Sequence, residues 1–112
     1  MSSEKGLYII YCKDDLSGEM VENGKRFGGS AKRIANYVEH RAYLASTNDP
    51  NSPNYILKIA VGPLESEDLK YMIGSCCIVE ATREEAERFN QNDPLYKNGV
   101  WKEVSTTTLN FT

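Results

Sequence analysis

Residues 71–90, YMIGSCCIVEATREEAERFN, join two kinds of patterning at one point. Tyr71–Glu80 is apolar, β-branched and aromatic, the composition of a strand. Thr82-Arg83-Glu84-Glu85 then reads as a capping box. In it the Thr82 hydroxyl and the Glu85 carboxylate satisfy amides that a first helical turn leaves unpaired. A strand therefore hands over to a helix that runs to about Asn90.

Working outward, Tyr55–Val61 (YILKIAV) reads as a strand closed by Gly62-Pro63, with the acidic Glu65–Asp68 segment as a hairpin-type connection to residue 71. Before it, Thr47–Asn54 (TNDPNSPN) is turn chemistry, and it stops a helix capped by Ser30 that runs to about Ser46. Leu7–Lys13 (LYIIYCK) reads as the first strand, ending at Asp14-Asp15. Asp14–Gly29 is polar and glycine-rich and reads as a long loop. On the far side, Asp93-Pro94 opens one short turn, with Asp at the cap and Pro at the first helical position. Gly99 ends that turn, and Val100–Phe111 alternates as a last strand. The order is β-α-β-β-α-β, a ferredoxin-like α+β pattern on one antiparallel sheet, within a single domain spanning 1–112.

Two helices cover one sheet face. The first strand nonetheless carries apolar residues in both alternating sets, Leu7, Ile9 and Tyr11 against Tyr8, Ile10 and Cys12. A second covered face is expected, most simply the sheet of an identical subunit. On a helical wheel the first helix gathers Ile34, Tyr37, Val38, Leu44 and Ala45 into one stripe, with Arg41 near its centre. Arg33 and His40 fall on the flank of that stripe, two turns apart and on the same side.

The 112 residues carry a net charge of −3, and their 13 Lys and Arg are spread along the chain. Nucleic-acid binding needs a basic stripe to neutralise phosphates, and none is visible. The opening Met1–Gly6 is polar, and the apolar run Leu7–Cys12 is too short for a signal-peptide core or a membrane span. Cys12, Cys76 and Cys77 have no metal-ligand spacing; they read as reduced packing residues of a cytoplasmic protein.

Four segments carry a resemblance. They are Arg33…His40-Arg41-Ala42-Tyr43-Leu44, Val61-Gly62-Pro63-Leu64, Gly74-Ser75…Ile78-Val79-Glu80-Ala81, and Asn92-Asp93-Pro94-Leu95-Tyr96-Lys97-Asn98-Gly99-Val100. In this order the sequence resembles the YCII-related family. The resemblance implies a dimeric α+β barrel, two ferredoxin-like sheets face to face, with pockets between sheet and helices. It also implies a catalytic pair made of a histidine on the first helix and an aspartate before proline, which fall here on His40 and Asp93. The sequence departs from the family at Arg41, where an apolar residue is usual, and in the Asp14–Gly29 insertion, which is unlike the short loop expected and whose role the sequence leaves open.

His40 is the only histidine, and imidazole moves protons near neutral pH. A carboxylate on one ring nitrogen fixes the tautomer and leaves the other nitrogen as the working base or acid. Beside this stand plainer readings: His40 idle on a helix flank, and Asp93 a helix cap alone. Arg33 is either a bidentate holder of an anionic group or a surface arginine. Tyr37 offers an aromatic wall for a planar ligand, and Arg41 is a candidate contact to substrate. Gly24–Ser30 matches neither phosphate-binding glycine motif and reads as a flexible loop. Neither a zinc-ligand cluster nor a nucleophile-elbow serine is present, so no cofactor or metal is expected. The function expected is a small-molecule enzyme using a His–Asp acid/base pair for isomerisation, elimination or hydrolysis. The alternative is a non-catalytic ligand-binding or interaction protein that uses the dimer cavity. An enzyme requires His40 and Asp93 to meet at a pocket; a binding module leaves them apart.

Overall fold

The structure is a computed structural model that describes residues 4–24 and 26–110; Lys25 of the glycine-rich loop and Phe111, the expected end of the last strand, lie outside them. In chain order the elements are β1 (Gly6–Asp14), β2 (Met20–Asn23), β3 (Arg26–Ser30), α1 (Ala31–Ala35), α2 (Tyr37–Ser46), β4 (Leu57–Glu65), β5 (Tyr71–Ala81), α3 (Arg83–Gln91), α4 (Pro94–Lys97) and β6 (Trp101–Leu109). The chain is mixed α+β with a single sheet.

The four expected strands lie in the order β4-β5-β1-β6, all antiparallel to their neighbours. The register sets Ile10 opposite Cys77, Tyr8 opposite Val79 and Gly6 opposite Ala81. Because side chains alternate along a strand, Ile10, Cys12, Cys77, Val79 and Ala81 share one face. With Ala86 and Phe89 of α3 they form the buried core. The helix caps follow from the residues that the sequence offers. Ser30 Oγ accepts from the Arg33 amide. Thr82 and Glu85 exchange both bonds of the capping box. Asp93 caps α4 through the Leu95 amide at 2.8 Å, and Gly99 leaves that helix with a φ of +69°, a conformation costly for any residue with a Cβ.

Four features differ from the sequence-based expectation. The second expected strand does not stop at Val61 but runs through Gly62-Pro63 to Glu65; Pro63 is tolerated because β4 is an edge strand, paired only with β5. The Asp14–Gly29 segment is not all loop, since its second half folds into the β2–β3 hairpin. That hairpin joins the sheet where β1 ends, through a short parallel pairing of Gly28 and Gly29 with Tyr71 and Met72. A Cβ at Gly28 would collide with the Val21 carbonyl, so glycine permits the hairpin to close.

The first helix is broken at Asn36, whose φ of −109° and ψ of 7° leave the helical region. Its side chain competes with the helix by donating to the Lys32 carbonyl at 2.8 Å. The break re-aims α2, so the expected stripe does not hold. Val38 is 80% exposed and Ala45 is also exposed, while Tyr37, His40, Leu44 and Thr47 turn inward. Arg41 is exposed rather than central to the buried face.

Candidate active site

Between the helix-covered face of the sheet and α1, α2 and α3 lies a cavity of about 360 Å³. Arg33, Tyr37, His40, Arg41, Ser75 and Asp93 all line it. The five residues named from the sequence therefore share one wall system, although they come from separate helices and the cap of α4.

His40 Nδ1 lies 2.8 Å from Asp93 Oδ2 and 2.9 Å from Oδ1. An ionised carboxylate only accepts, so in this pairing Nδ1 carries the hydrogen and the neutral ring keeps its lone pair on Nε2. Both residues are buried, His40 at 9% exposure. The Asp93 carboxylate serves two donors, the imidazole and the Leu95 amide that it caps. Capping and pairing are thus one conformation, and the α4 turn fixes the carboxylate. The histidine side is held by the helix break: Asn98, at the end of α4, donates to the Asn36 side chain at 2.9 Å. Tyr43 adds a second tie by donating to the Phe89 carbonyl at 2.7 Å. Burial pushes the Tyr43 hydroxyl up to about 12.

Arg33 is buried at 1% exposure, so the surface reading is overturned. Its bidentate edge is already used within the chain: Nε donates to Asp14 Oδ2 at 2.6 Å, and Nη2 to Oδ1 at 3.0 Å. Nη2 also donates to Ser75 Oγ at 2.8 Å, and Nη1 reaches only the Met72 sulfur at 4.0 Å. Asp14, the partner of Arg33, reads in the sequence only as a strand end. A signal did exist, since it follows Ile10 and Cys12 on the buried set of β1. A carboxylate on that face requires a partner.

The Tyr37 and His40 rings are neighbours, tilted 45° with centroids 6.4 Å apart. Arg41 lies over the Tyr37 ring at 5.9 Å, which gives its charge an aromatic contact at the cavity margin. Cys12 and Cys77 are packed in the core, whereas Cys76 is half-buried. Burial pushes Cys12 up to about 12 despite its contact with Asn90, and pushes Cys77 up to about 12. Among the described residues no three His, Cys, Asp or Glu gather to hold a metal ion, and no helix is long and apolar enough to cross a membrane.

A single sheet with helices on one face, and an imidazole–carboxylate pair on the wall between them, define a class of small α+β pocket proteins. The chain belongs to the YCII family: the YCII-related domain matches residues 6–110. Among solved structures it is similar to the 5-chloro-2-hydroxyhydroquinone dehydrochlorinase TftG from Burkholderia phenoliruptrix AC1100, in complex with 2,5-dihydroxybenzoquinone. The two share 26% identity over 95% of each chain, with a TM-score of 0.68. No curated protein matches the sequence significantly.

Proposed function

We propose that the protein is a small-molecule enzyme that works without a cofactor, with His40 as general base and acid and Asp93 as the carboxylate that orients it. The observation that carries this reading is the 2.8 Å approach of the two groups on a cavity wall. With Nδ1–H committed to Asp93, Nε2 is free to take a proton, and the carboxylate stabilises the imidazolium that results. The similar dehydrochlorinase acts, by its name, on a chlorinated hydroxyhydroquinone and holds a dihydroxybenzoquinone. That supports a small planar oxygenated substrate here and favours elimination over isomerisation or hydrolysis. In such a step His40 takes a substrate proton while the leaving group departs with the electrons of its bond. Tyr37 is the aromatic wall and Arg41 a charged group at the margin.

The same reading includes a homodimer with two sheets face to face. Its support is the sheet face opposite the helices, where Tyr11 is 40% and Leu57 43% exposed. A cytoplasmic setting agrees with three free thiols.

The test is chloride release from 5-chloro-2-hydroxyhydroquinone, followed for wild type, His40→Gln and Asp93→Asn. His40→Gln is expected to lose about 10²–10⁴-fold in rate, and Asp93→Asn to lose activity because the tautomer is no longer held. Equal turnover by wild type and His40→Gln refutes the acid–base role.

A further inference from the structure

A second hollow of about 650 Å³ opens beside the first, between the β2–β3 hairpin and the turn that joins β4 to β5. Tyr37, Pro63 and Met72 line both, so the two hollows adjoin along these three side chains. Phe27 from the hairpin and Leu69 from the turn belong to the outer one alone. The inner cavity, at about 360 Å³, lies near the lower end of the range for small-molecule sites. A ligand with more than a compact head extends beyond it, and the outer cleft is where the walls continue.

Backbone hydrogen bonds fix that outer wall. The Gly28 amide donates to the Lys70 carbonyl at 2.8 Å, which ties the hairpin to the end of the turn. Within the turn the Leu69 amide donates to the Ser66 carbonyl at 2.9 Å. The Lys70 amide donates to Asp68 Oδ1 and the Tyr71 amide to Ser66 Oγ, each at 3.1 Å. These bonds hold Leu69 at a φ of +61°, the one positive value on a non-glycine residue among those described. Glycine and asparagine take that conformation most readily, and leucine is strained in it. At 61% exposure its apolar side chain gains little from burial within the chain. A strained residue that presents an exposed apolar side chain to a cleft is accounted for by what lies against it there.

We propose that the outer cleft is a second subsite, which takes an unbranched apolar arm of the ligand whose head lies beside His40. This rests on the head being seated in the inner cavity, as in the function proposed above. The arm leaves past Tyr37 and Pro63 and lies against Phe27 and Leu69. Among the described residues the charges lining the cleft are Glu22 and Lys70, both exposed and opposite in sign. Neither an anionic nor a cationic tail is therefore favoured. The ligand class is a compact polar head with a hydrocarbon tail, and not a bare ring. Covering Phe27 and Leu69 removes apolar surface from water, and each methylene of the arm adds to that gain.

Binding of 2,5-dihydroxybenzoquinone and of its 3-butyl and 3-hexyl derivatives, measured by calorimetry, tests this without any turnover. Trp101, the single tryptophan, lines the inner cavity, so quenching of its fluorescence by the quinone reports that the head is seated there. Affinity is expected to rise about 2- to 4-fold per methylene, the range for partly to fully buried CH₂ groups. Leu69→Asn removes the apolar side chain while asparagine tolerates the left-handed backbone. It is expected to weaken the hexyl compound about 5- to 10-fold and to leave the bare ring within about 2-fold, as only the arm loses apolar contact. Leu69→Met, which keeps that contact, is expected to bind both within about 2-fold of wild type. The inference is overturned if the hexyl compound binds no tighter than the bare ring, since Tyr37 and Met72 then partition the two hollows. It is equally overturned if Leu69→Asn weakens both compounds alike or neither, if Leu69→Met falls with Leu69→Asn, or if no member of the series quenches Trp101. The acid–base reading fails separately, on the turnover of His40→Gln, so the two failures are told apart.

Discussion

Two buried pairs of the same chemical type stand on the wall of one cavity, and they are built to opposite ends. In each, a basic side chain from one half of a broken helix meets an aspartate. Arg33 and Asp14 satisfy each other almost completely, with both carboxylate oxygens used and side-chain exposures of 1% and 0%. His40 and Asp93 stop short of that. One ring nitrogen is committed, the other is left over, and the exposures are 11% and 4%. The closed pair uses Nε and Nη2 of Arg33 within the chain, and its remaining donor, Nη1, has only the Met72 sulfur at 4.0 Å and is sealed from solvent. The open pair keeps the one lone pair that acid–base chemistry requires. Burial of a charge pair is therefore no mark of function by itself; what counts is the donor or acceptor that remains after the pair has formed.

The largest effect expected from this contrast is on stability. Arg33→Met leaves the Asp14 carboxylate buried without a partner, a change that typically costs about 3–5 kcal/mol. Removing both charges in Arg33→Met/Asp14→Leu is expected to recover most of that loss in denaturant titrations. His40→Gln, at the open pair, is expected to cost less, about 1.5–3 kcal/mol at most, the range of one hydrogen bond to a charged group, since the Leu95 amide still serves the Asp93 carboxylate. If Arg33→Met proves as mild as His40→Gln, the two pairs are not different in kind.

Between the pairs lies the neutral part of the core, and its ionisation is the next largest effect. Cys12 and Cys77 are pushed from an ordinary 9.0 to about 12, and Tyr43 from 10.0 to about 12, in each case first by burial. The negative charges of Asp93 and Asp14 raise Cys12 further, so this thiol senses both pairs. Each group is an acid whose folded pKa lies above its unfolded one. Its contribution to stability is complete below the unfolded value and is lost as pH rises from there toward 12. By pH 10 each thiol has cost roughly 1 kcal/mol. Unfolding followed from pH 8 to 10.5 is expected to show stability falling steadily above pH 9. A flat profile means that these thiols are solvated.

The contrast was only half legible in the chain. Asp93-Pro94 declares a cap, and the single histidine draws attention by its chemistry, so the open pair was within reach once a resemblance joined them across 53 positions. The strands and the Thr82–Glu85 cap were readable because their causes are local. Burial on alternating positions and satisfaction of nearby amides need no partner far away. The Asn36 break had no such signal. One asparagine in a helical run is unremarkable, and its second partner, Asn98, is 62 residues distant. From an unbroken wheel Val38 belonged inside and Arg41 in the middle, and both are exposed. The β2–β3 hairpin escaped for a similar reason, since its attachment to the sheet runs through Gly28 and Tyr71, a pairing that composition does not announce. Arg33 stays open in the sequence between anion holder and surface residue, because Asp14 reads there as the end of a strand and not as the next inward residue after Ile10 and Cys12.

The smallest effect separates the two tasks of Asp93. As the cap of α4 it needs only an oxygen for the Leu95 amide, and asparagine supplies one. As the partner of His40 it needs a charge that accepts from Nδ1 and balances the imidazolium. Asp93→Asn is therefore expected to keep its melting behaviour within about 0.5 kcal/mol, whereas Asp93→Ala loses the cap and about 1 kcal/mol. The His40 ring should report the other task. Nitrogen NMR of the imidazole is expected to show the hydrogen on Nδ1 in the wild type and a mixed or reversed tautomer in Asp93→Asn. A wild-type tautomer in the asparagine variant means that the ring is held by packing against Tyr37 and not by the carboxylate. The open pair would then be open by accident of shape, and its likeness to the closed pair would carry no chemical meaning.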